Sequence, residues 1–344
     1  MADSTNIRLD RIMDEVYKDF YGTYPPNSPT FGGSSHESAD MNTGSAGAIE
    51  DDTPKTQAAT SGPGPAKKES EEAEAKKEPE KSGMEELNEL IGLDMVKADV
   101  KELINLVKVQ KMREDKGMKT VPVSLHLVFS GNPGTGKTTV ARILSKLYKE
   151  IGVLSKGQLV EVDRSGLVAG YVGQTAIKTQ KKIEEAKGGI LFIDEAYTLA
   201  KEGNDFGQEA IDTILKAMED NRKDLVVIVA GYTNLMENFI NSNPGLKSRF
   251  NKYIEFKDYS AEELIEIFDM QCSKYNYTLS PEARETIEKV IRDREASKGA
   301  NFANARDVRN LFETIITNQA SRVAQMENPS EEDLITIVPA DIQQ

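Results

Sequence analysis

No stretch of this chain limits its fold as tightly as Gly131-Asn-Pro-Gly-Thr-Gly-Lys137-Thr138, which fits the pattern G-x-x-x-x-G-K-[ST] between an apolar strand and an amphipathic helix. Glycines there let the backbone bend until its N–H groups surround a phosphate. The helix that follows adds partial positive charge at its N-terminus. Lys137 is expected to reach β- and γ-phosphates, and the Thr138 hydroxyl to bind magnesium. Asn132, Pro133, Gly134, Thr135 and Gly136, with Thr139 just beyond, complete the expected nucleotide-binding stretch. The flanking sequence supplies the sheet behind such a loop. Strands are expected at 125–130, 159–163, 190–194, 225–230 and 253–256, alternating with helices at 137–150, 175–187, 208–221 and 234–240. That alternation predicts an α/β domain of the P-loop kind, its parallel sheet covered on both faces.

A second acidic signal reinforces the first. Ile190-Leu-Phe-Ile-Asp194-Glu195 is an apolar strand ending in two acids. A buried parallel strand delivers Asp194 to the C-terminal edge of the sheet, where doubly wound folds bind their ligands. Asp194 is expected to hold the magnesium shell. Glu195 is expected to orient and polarise an attacking water as general base, which points to ATP hydrolysis rather than mere nucleotide binding.

The rest of the chain divides by pattern. Leu9, Ile12, Met13, Val16, Tyr17, Phe20 and Tyr21 recur at three- and four-residue spacing, predicting a helix over 4–21 with one apolar stripe. From Gly22 to Gly83 the pattern collapses, and seven of the 13 prolines fall there, so that stretch reads as a disordered tether. A helical period runs through 87–116. After Tyr259 the strands stop. Helices are expected at 260–275, 281–295 and 303–326, with a short strand through 334–338. Ser260 with Glu263, and Ser280 before Pro281, are helix-start signals. The expected organisation is a docking helix at 1–21, a tether at 22–83, a nucleotide-binding domain at 84–258 and a small helical domain at 259–344. The 1–21 helix has two readings, a partner-docking device on its tether or a helix packed on the chain's own assembly.

Composition excludes several classes. The formal net charge is −14, from 43 basic and 57 acidic residues, which argues against a chain that clamps nucleic acid through phosphates. Cys272 is the only cysteine, and His36 and His126 are the only histidines, so neither a disulfide nor a cysteine or histidine metal site is expected. The opening MADSTNIRLDR lacks the form of a secretory signal, and apolar runs such as 225–230 are too short to span a bilayer. No membrane association and a cytoplasmic location are the expectation.

At this point the chain resembles an AAA+ ATPase, and specifically the CbxX/CfqX family, to which stage V sporulation protein K and the red-type Rubisco activases belong. The resemblance covers about residues 84–340. It rests on the two nucleotide motifs and on Gly170-Tyr-Val-Gly-Gln-Thr175, Phe192-Ile-Asp-Glu-Ala-Tyr197, Ala230-Gly-Tyr232, Ser242-Asn-Pro-Gly-Leu-Lys-Ser-Arg249-Phe250 and Phe302-Ala-Asn-Ala-Arg306. The resemblance implies a helical lid over 259–344 and a ring, a hexamer, built from copies of this chain. It implies that Arg249 is an arginine finger toward the neighbouring subunit's nucleotide. Arg306 matches the lid arginine that contacts γ-phosphate in its own subunit, with Arg309 one turn on as the competitor. Asn234 resembles the sensor that completes the water-positioning network. Ile91 and Gly92 resemble the segment that wraps the adenine.

The same resemblance gives Tyr171-Val172-Gly173 a place in the central pore. An aromatic ring grips any polypeptide with little sequence preference, and the glycines let the loop swing. Lys178, Lys181 and Lys182 follow on the next helix, either as a positive stripe or as a solvated face. The expected function is an ATPase ring that threads or remodels a protein client, with ATP and Mg2+ as cofactors. Two other classes remain: a nucleic-acid-handling AAA+ switch, opposed by the acidic charge and the pore triplet, and a nucleotide-dependent scaffold with little turnover, opposed by Glu195 and Arg249.

Overall fold

The computed structural model describes residues 81–121, 123–171, 173–200, 206–299 and 302–342. The expected helix at 1–21, the tether up to residue 80, and Val172 lie outside the described residues. At 81–83 the chain is already built, because Ser82 caps helix α1 (Gly83–Glu89) in a reciprocal capping box with Glu85. Helix α2 follows at Asp94–Asp115. The period through 87–116 reads as continuous, but the structure breaks it at Ile91-Gly92-Leu93. Gly92 and Leu93 both sit at φ 57°, left-handed backbone that a right-handed helix cannot accommodate.

The nucleotide half then runs β1 (Leu127–Gly131), α3 (Lys137–Glu150), β2 (Leu159–Val162), the single turn α4 (Arg164–Leu167), α5 (Gln174–Ala186) and β3 (Ile190–Ile193). It continues through a 3-10 turn at Ala196–Ala200, α6 (Gly207–Asp220), β4 (Val226–Gly231), α7 (Thr233–Asn241), α8 (Pro244–Arg249) and β5 (Lys252–Phe256). The five strands are ordered β2-β3-β4-β1-β5, and every neighbouring pair is parallel. The continuous apolar runs of β1, β3 and β4 are what a sheet buried on both faces requires. Successive side chains serve opposite cores. Leu127, Phe129, Ile190 and Phe192 pack against residues of α1, α2 and α3, while Val128, Leu191 and Ile193 pack against those of α5, α6 and α7. Phe129 touches Phe192 and Phe256 ring to ring at 6.5 and 5.0 Å. Cutting a ring such as Phe192 back to Ala costs about 3–5 kcal/mol at a site this closed.

The C-terminal half is built from α9 (Ala261–Lys274), β6 (Thr278–Leu279), α10 (Pro281–Ala296), α11 (Ala305–Val323), α12 (Glu331–Ile335), β7 (Thr336–Ile337) and α13 (Pro339–Ile342). Ser260 and Glu263 form the expected capping box, and Ser280 caps α10 with Pro281 in its first turn. The strand expected through 334–338 shrinks to 336–337, because Ser330 starts a helix that takes 331–335. β7 pairs with β6 in parallel. Phe268, Ile287, Phe312 and Ile315 centre this half's own core, and Ile91 and Leu93 reach over to pack on it. Among the described residues no helix is long and apolar enough to cross a membrane.

Candidate functional site

Parallel strands end on one edge of the sheet, and the expected site residues gather there. Gly131 closes β1, and the loop to α3 turns through Gly134 at φ 71° and Gly136 at φ 93°. A Cβ on Gly131 would lie 2.2 Å from the Phe256 carbonyl, and one on Gly134 would lie 2.0 Å from the Ala303 carbonyl. These positions tolerate glycine alone. Thr135 is buried and donates its hydroxyl to the Asn132 carbonyl at 2.8 Å, bracing the loop from within. Lys137 Nζ donates to the carbonyls of Gly131 and Asn132 at 3.0 and 2.8 Å. The ammonium is thus held across the mouth of the loop. A glycine-rich turn with a lysine over it, opening a helix, suits a chain of phosphates.

Burial pulls the Lys137 ammonium below the usual lysine value, the carboxylates of Asp194 and Glu195 act against that, and Arg306 adds to it. Burial, then Asp194, pushes the Glu195 carboxyl above the usual glutamate value, while Lys137 and Arg306 oppose. Lys137, Asp194, Glu195 and Arg306 therefore form one electrostatic cluster. Thr138 and Asp194 line one cleft together with Val162, Asp163 and Phe192. A hydroxyl and a carboxylate facing one space form a donor set suited to a magnesium ion that also takes phosphate oxygens. Thr139 is exposed on the outer side of the same helical turn.

Glu195 has φ 47°, a left-handed backbone in a non-glycine residue. Its N–H donates to Asp194 Oδ1 at 3.0 Å, and its carbonyl accepts from the Thr198 N–H and hydroxyl at 2.9 and 2.7 Å. Arg164 in turn donates to the Thr198 carbonyl at 2.8 Å. A strained backbone persists where its surroundings over-determine it, and here Asp194 and Thr198 hold it from both sides. Thr198 and Arg164 drew no attention in the sequence, because nothing in the local pattern there marks a partner for the Glu195 backbone.

The remaining expected residues divide. Gly92 abuts the Glu263 carboxylate so closely that a Cβ there would lie 2.0 Å from it. Leu93 reaches to within 3.3 Å of where a Cβ on Gly136 would stand. The segment at 91–93 thus spans from the lid core to the phosphate loop. Asn234 stands exposed on the first turn of α7, at the correct edge of the sheet but with no hydrogen bond to the cluster. Arg249 closes α8, and its guanidinium lies 3.6 Å from Glu219. It also lies near His126, whose ring accepts the Val227 N–H at 3.0 Å and which burial, helped by Arg249, lowers to about 4. Arg249 is not among the charges acting on Lys137 or Glu195. Tyr171 is 74% exposed, beside Gly170 and Gly173, which have open space around them. The Lys178 ammonium is tied to the carbonyls of Ser165 and Val168 at 2.6 and 3.2 Å rather than standing free in solvent. Lys182 pairs with Glu185 at 2.6 Å.

Sequence reading missed the link between the two halves. Asp258, just past β5, accepts from Asn132 Nδ2 at 2.9 Å and from Asn304 Nδ2 at 2.8 Å. Asn304 is fully buried, accepts the Tyr259 N–H at 3.0 Å and donates to the Pro133 carbonyl at 3.3 Å. The only hint was that Asn304 stands two residues before Arg306.

Residues 127–258 match the family described as "ATPase family associated with various cellular activities (AAA)", and residues 260–344 match the AAA lid domain. Among curated proteins the chain is 43% identical over 259 residues to stage V sporulation protein K of Bacillus subtilis, covering 75% of this chain and 80% of that one. It is 47% identical over 246 residues to Protein CbbX of Cereibacter sphaeroides, covering 71% and 79%. It is 42% identical over 260 residues to the chloroplastic ribulose bisphosphate carboxylase/oxygenase activase of Cyanidioschyzon merolae, covering 74% and 87%.

Proposed function

Because this chain belongs to the AAA+ ATPases, in the group of the CbxX/CfxQ proteins, stage V sporulation protein K and Rubisco activase, we propose that its ATP hydrolysis drives a hexameric ring that grips and remodels a protein client. The observation that carries this reading is Tyr171, a large aromatic ring left 74% exposed between two glycines with no neighbours. A tyrosine held out in this way suits contact with an unfolded segment by stacking and apolar burial. One relative bears the name of an activase of another enzyme, which is a protein client.

In this reading the phosphate loop binds ATP, with Lys137 across the β- and γ-phosphates. Ile91 and Gly92 line the base. Thr138 and Asp194 hold magnesium, which when bound shields phosphate charge. Glu195 polarises the attacking water, and its raised affinity for protons suits a group that must accept one. Arg306 meets the terminal phosphate within its own subunit. Arg249 serves the neighbour's site, since within its own subunit it rests against Glu219 and its buried Nε has no partner among the described residues. Asn234 takes part by turning toward the water.

Replacing Tyr171 with Ala is expected to leave basal hydrolysis within a few-fold of the parent while client remodelling is lost, and Tyr171→Phe to restore it. An Ala variant that still remodels its client fully would rule out a grip through this loop. Arg249→Ala is expected to bind ATP normally and hydrolyse little. Mixed with Lys137→Ala subunits, it should recover part of the activity, because each supplies what the other lacks. No recovery in well-mixed rings would exclude action across the interface.

A further inference from the structure

We propose that Asp258 and Asn304 are positioning residues: they clamp the lid onto the phosphate loop and so hold Arg306 where it meets the terminal phosphate of the nucleotide. The inference rests on the reading of Arg306 given above.

Asn304 stands at the N-cap of α11 but makes no cap bond to its own helix, unlike Ser260, Ser280 and Ser330. Its backbone is left-handed at φ 51°, ψ −127°, a conformation that non-glycine residues keep only where the surroundings impose it. The side chain is turned instead onto three groups outside α11. Its Oδ1 takes the Tyr259 N–H, and its Nδ2 serves both the Asp258 carboxylate and the Pro133 carbonyl. The turn before α11 is closed by another residue, Asp307, whose carboxylate accepts the Ala303 N–H at 2.7 Å.

Asp258 is the centre of the clamp. An ionised carboxylate only accepts hydrogen bonds, and this one takes an amide from the loop, at Asn132, and an amide from the lid, at Asn304. Bonds to a charged acceptor are the stronger kind. Its charge also reaches Lys137. Backbone contacts complete the seal. The Ala305 N–H donates to the Gly134 carbonyl at 3.2 Å, and the Ala303 carbonyl lies against Gly134 with no room for a methyl group. Arg306 follows Asn304 by two residues on the first turn of α11. A shift of the clamp therefore shifts the guanidinium, and its larger effect should fall on the terminal phosphate that Arg306 meets.

The test measures ATP and ADP affinity of the full chain in a Glu195→Gln background, which keeps ATP intact. The parent is expected to bind ATP more tightly than ADP. Asn304→Asp sets a second carboxylate against Asp258, and it should cost about tenfold of that preference, the worth of one charge-assisted bond. ADP affinity should stay within about threefold. Arg306→Ala should do the same. The double exchange Asp258→Asn with Asn304→Asp again faces a donor with an acceptor across this pair, in reverse polarity, and should restore part of the preference, the donor to the Pro133 carbonyl being lost. Should Asn304→Asp fail to fold in a thermal melt, the double exchange must fold and keep part of the preference, since it alone restores the pair. Equal loss of ATP and ADP binding in Asn304→Asp, or a folded double exchange without the preference, overturns the clamp while the Arg306 reading stands. An Arg306→Ala variant that keeps the preference overturns the Arg306 reading, and the clamp with it.

Discussion

The loops at 131–136 and 168–173 both follow strands of one sheet and both depend on glycine, yet they are enclosed to opposite degrees. In the first, two glycines press on backbone: the Phe256 carbonyl stands against Gly131 and the Ala303 carbonyl against Gly134. Thr135 and Lys137 donate back into the loop, and Asn132 is tied to Asp258. In the second, a Cβ on Gly170 or Gly173 would meet nothing within 4 Å, and Tyr171 stands out in solvent. Among the described residues its bonds include those from the Ala169 N–H to Thr175, from Lys178 to the Val168 carbonyl and from the Gln174 N–H to the Tyr171 carbonyl. Glycine serves close approach in one loop and conformational freedom in the other. A site that meets a fixed triphosphate needs the first property; the second is what the proposed grip on a polypeptide would need.

The widest separation between the loops should appear in nucleotide binding. Lys137→Ala is expected to abolish it, and Glu195→Gln to retain it without turnover, read by nucleotide titration and phosphate release. Turnover near the parent rate in Glu195→Gln would remove Glu195 from its role as base. A smaller effect should come from Gly134→Ala. Left-handed strain adds about 1–2 kcal/mol, and the overlap with the Ala303 carbonyl adds about 1–3 kcal/mol. Chemical denaturation should show the loss as a lower midpoint. An unchanged midpoint would mean that the lid lifts away freely and that the loop is not walled in. The smallest effect belongs to Gly170→Ala, expected within about 0.5 kcal/mol of the parent because the new methyl meets nothing. A loss near that of Gly134→Ala would show that the second loop is packed after all and would dissolve the contrast.

Much of the fold was legible. Helix α3 runs over the expected residues, the five strands fall within two residues of expectation, and Ser260 and Ser280 start their helices as read. Lys137, Thr138, Asp194 and Glu195 do converge at one edge. The break at 91–93 was hidden, because apolar spacing continues across it while two residues turn left-handed. The lysines on α5 looked alike in sequence. Lys178 is tied to backbone carbonyls and Lys182 to a carboxylate, which spacing alone cannot distinguish.

The sequence by itself determined the parts whose signals are local: the glycine pattern of the phosphate loop, the apolar runs of buried strands and the caps of helices. Each is a property of a few consecutive residues and of the backbone angles they allow. Only the tertiary structure decided that Asp258 and Asn304 meet the phosphate loop, across separations of 126 and 171 residues. It also decided that Arg306 lies near Lys137 and Glu195 while Arg249 rests on Glu219. Polar side chains carry no mark of their partner. Which donor faces which acceptor follows from how the apolar cores bring distant backbone together.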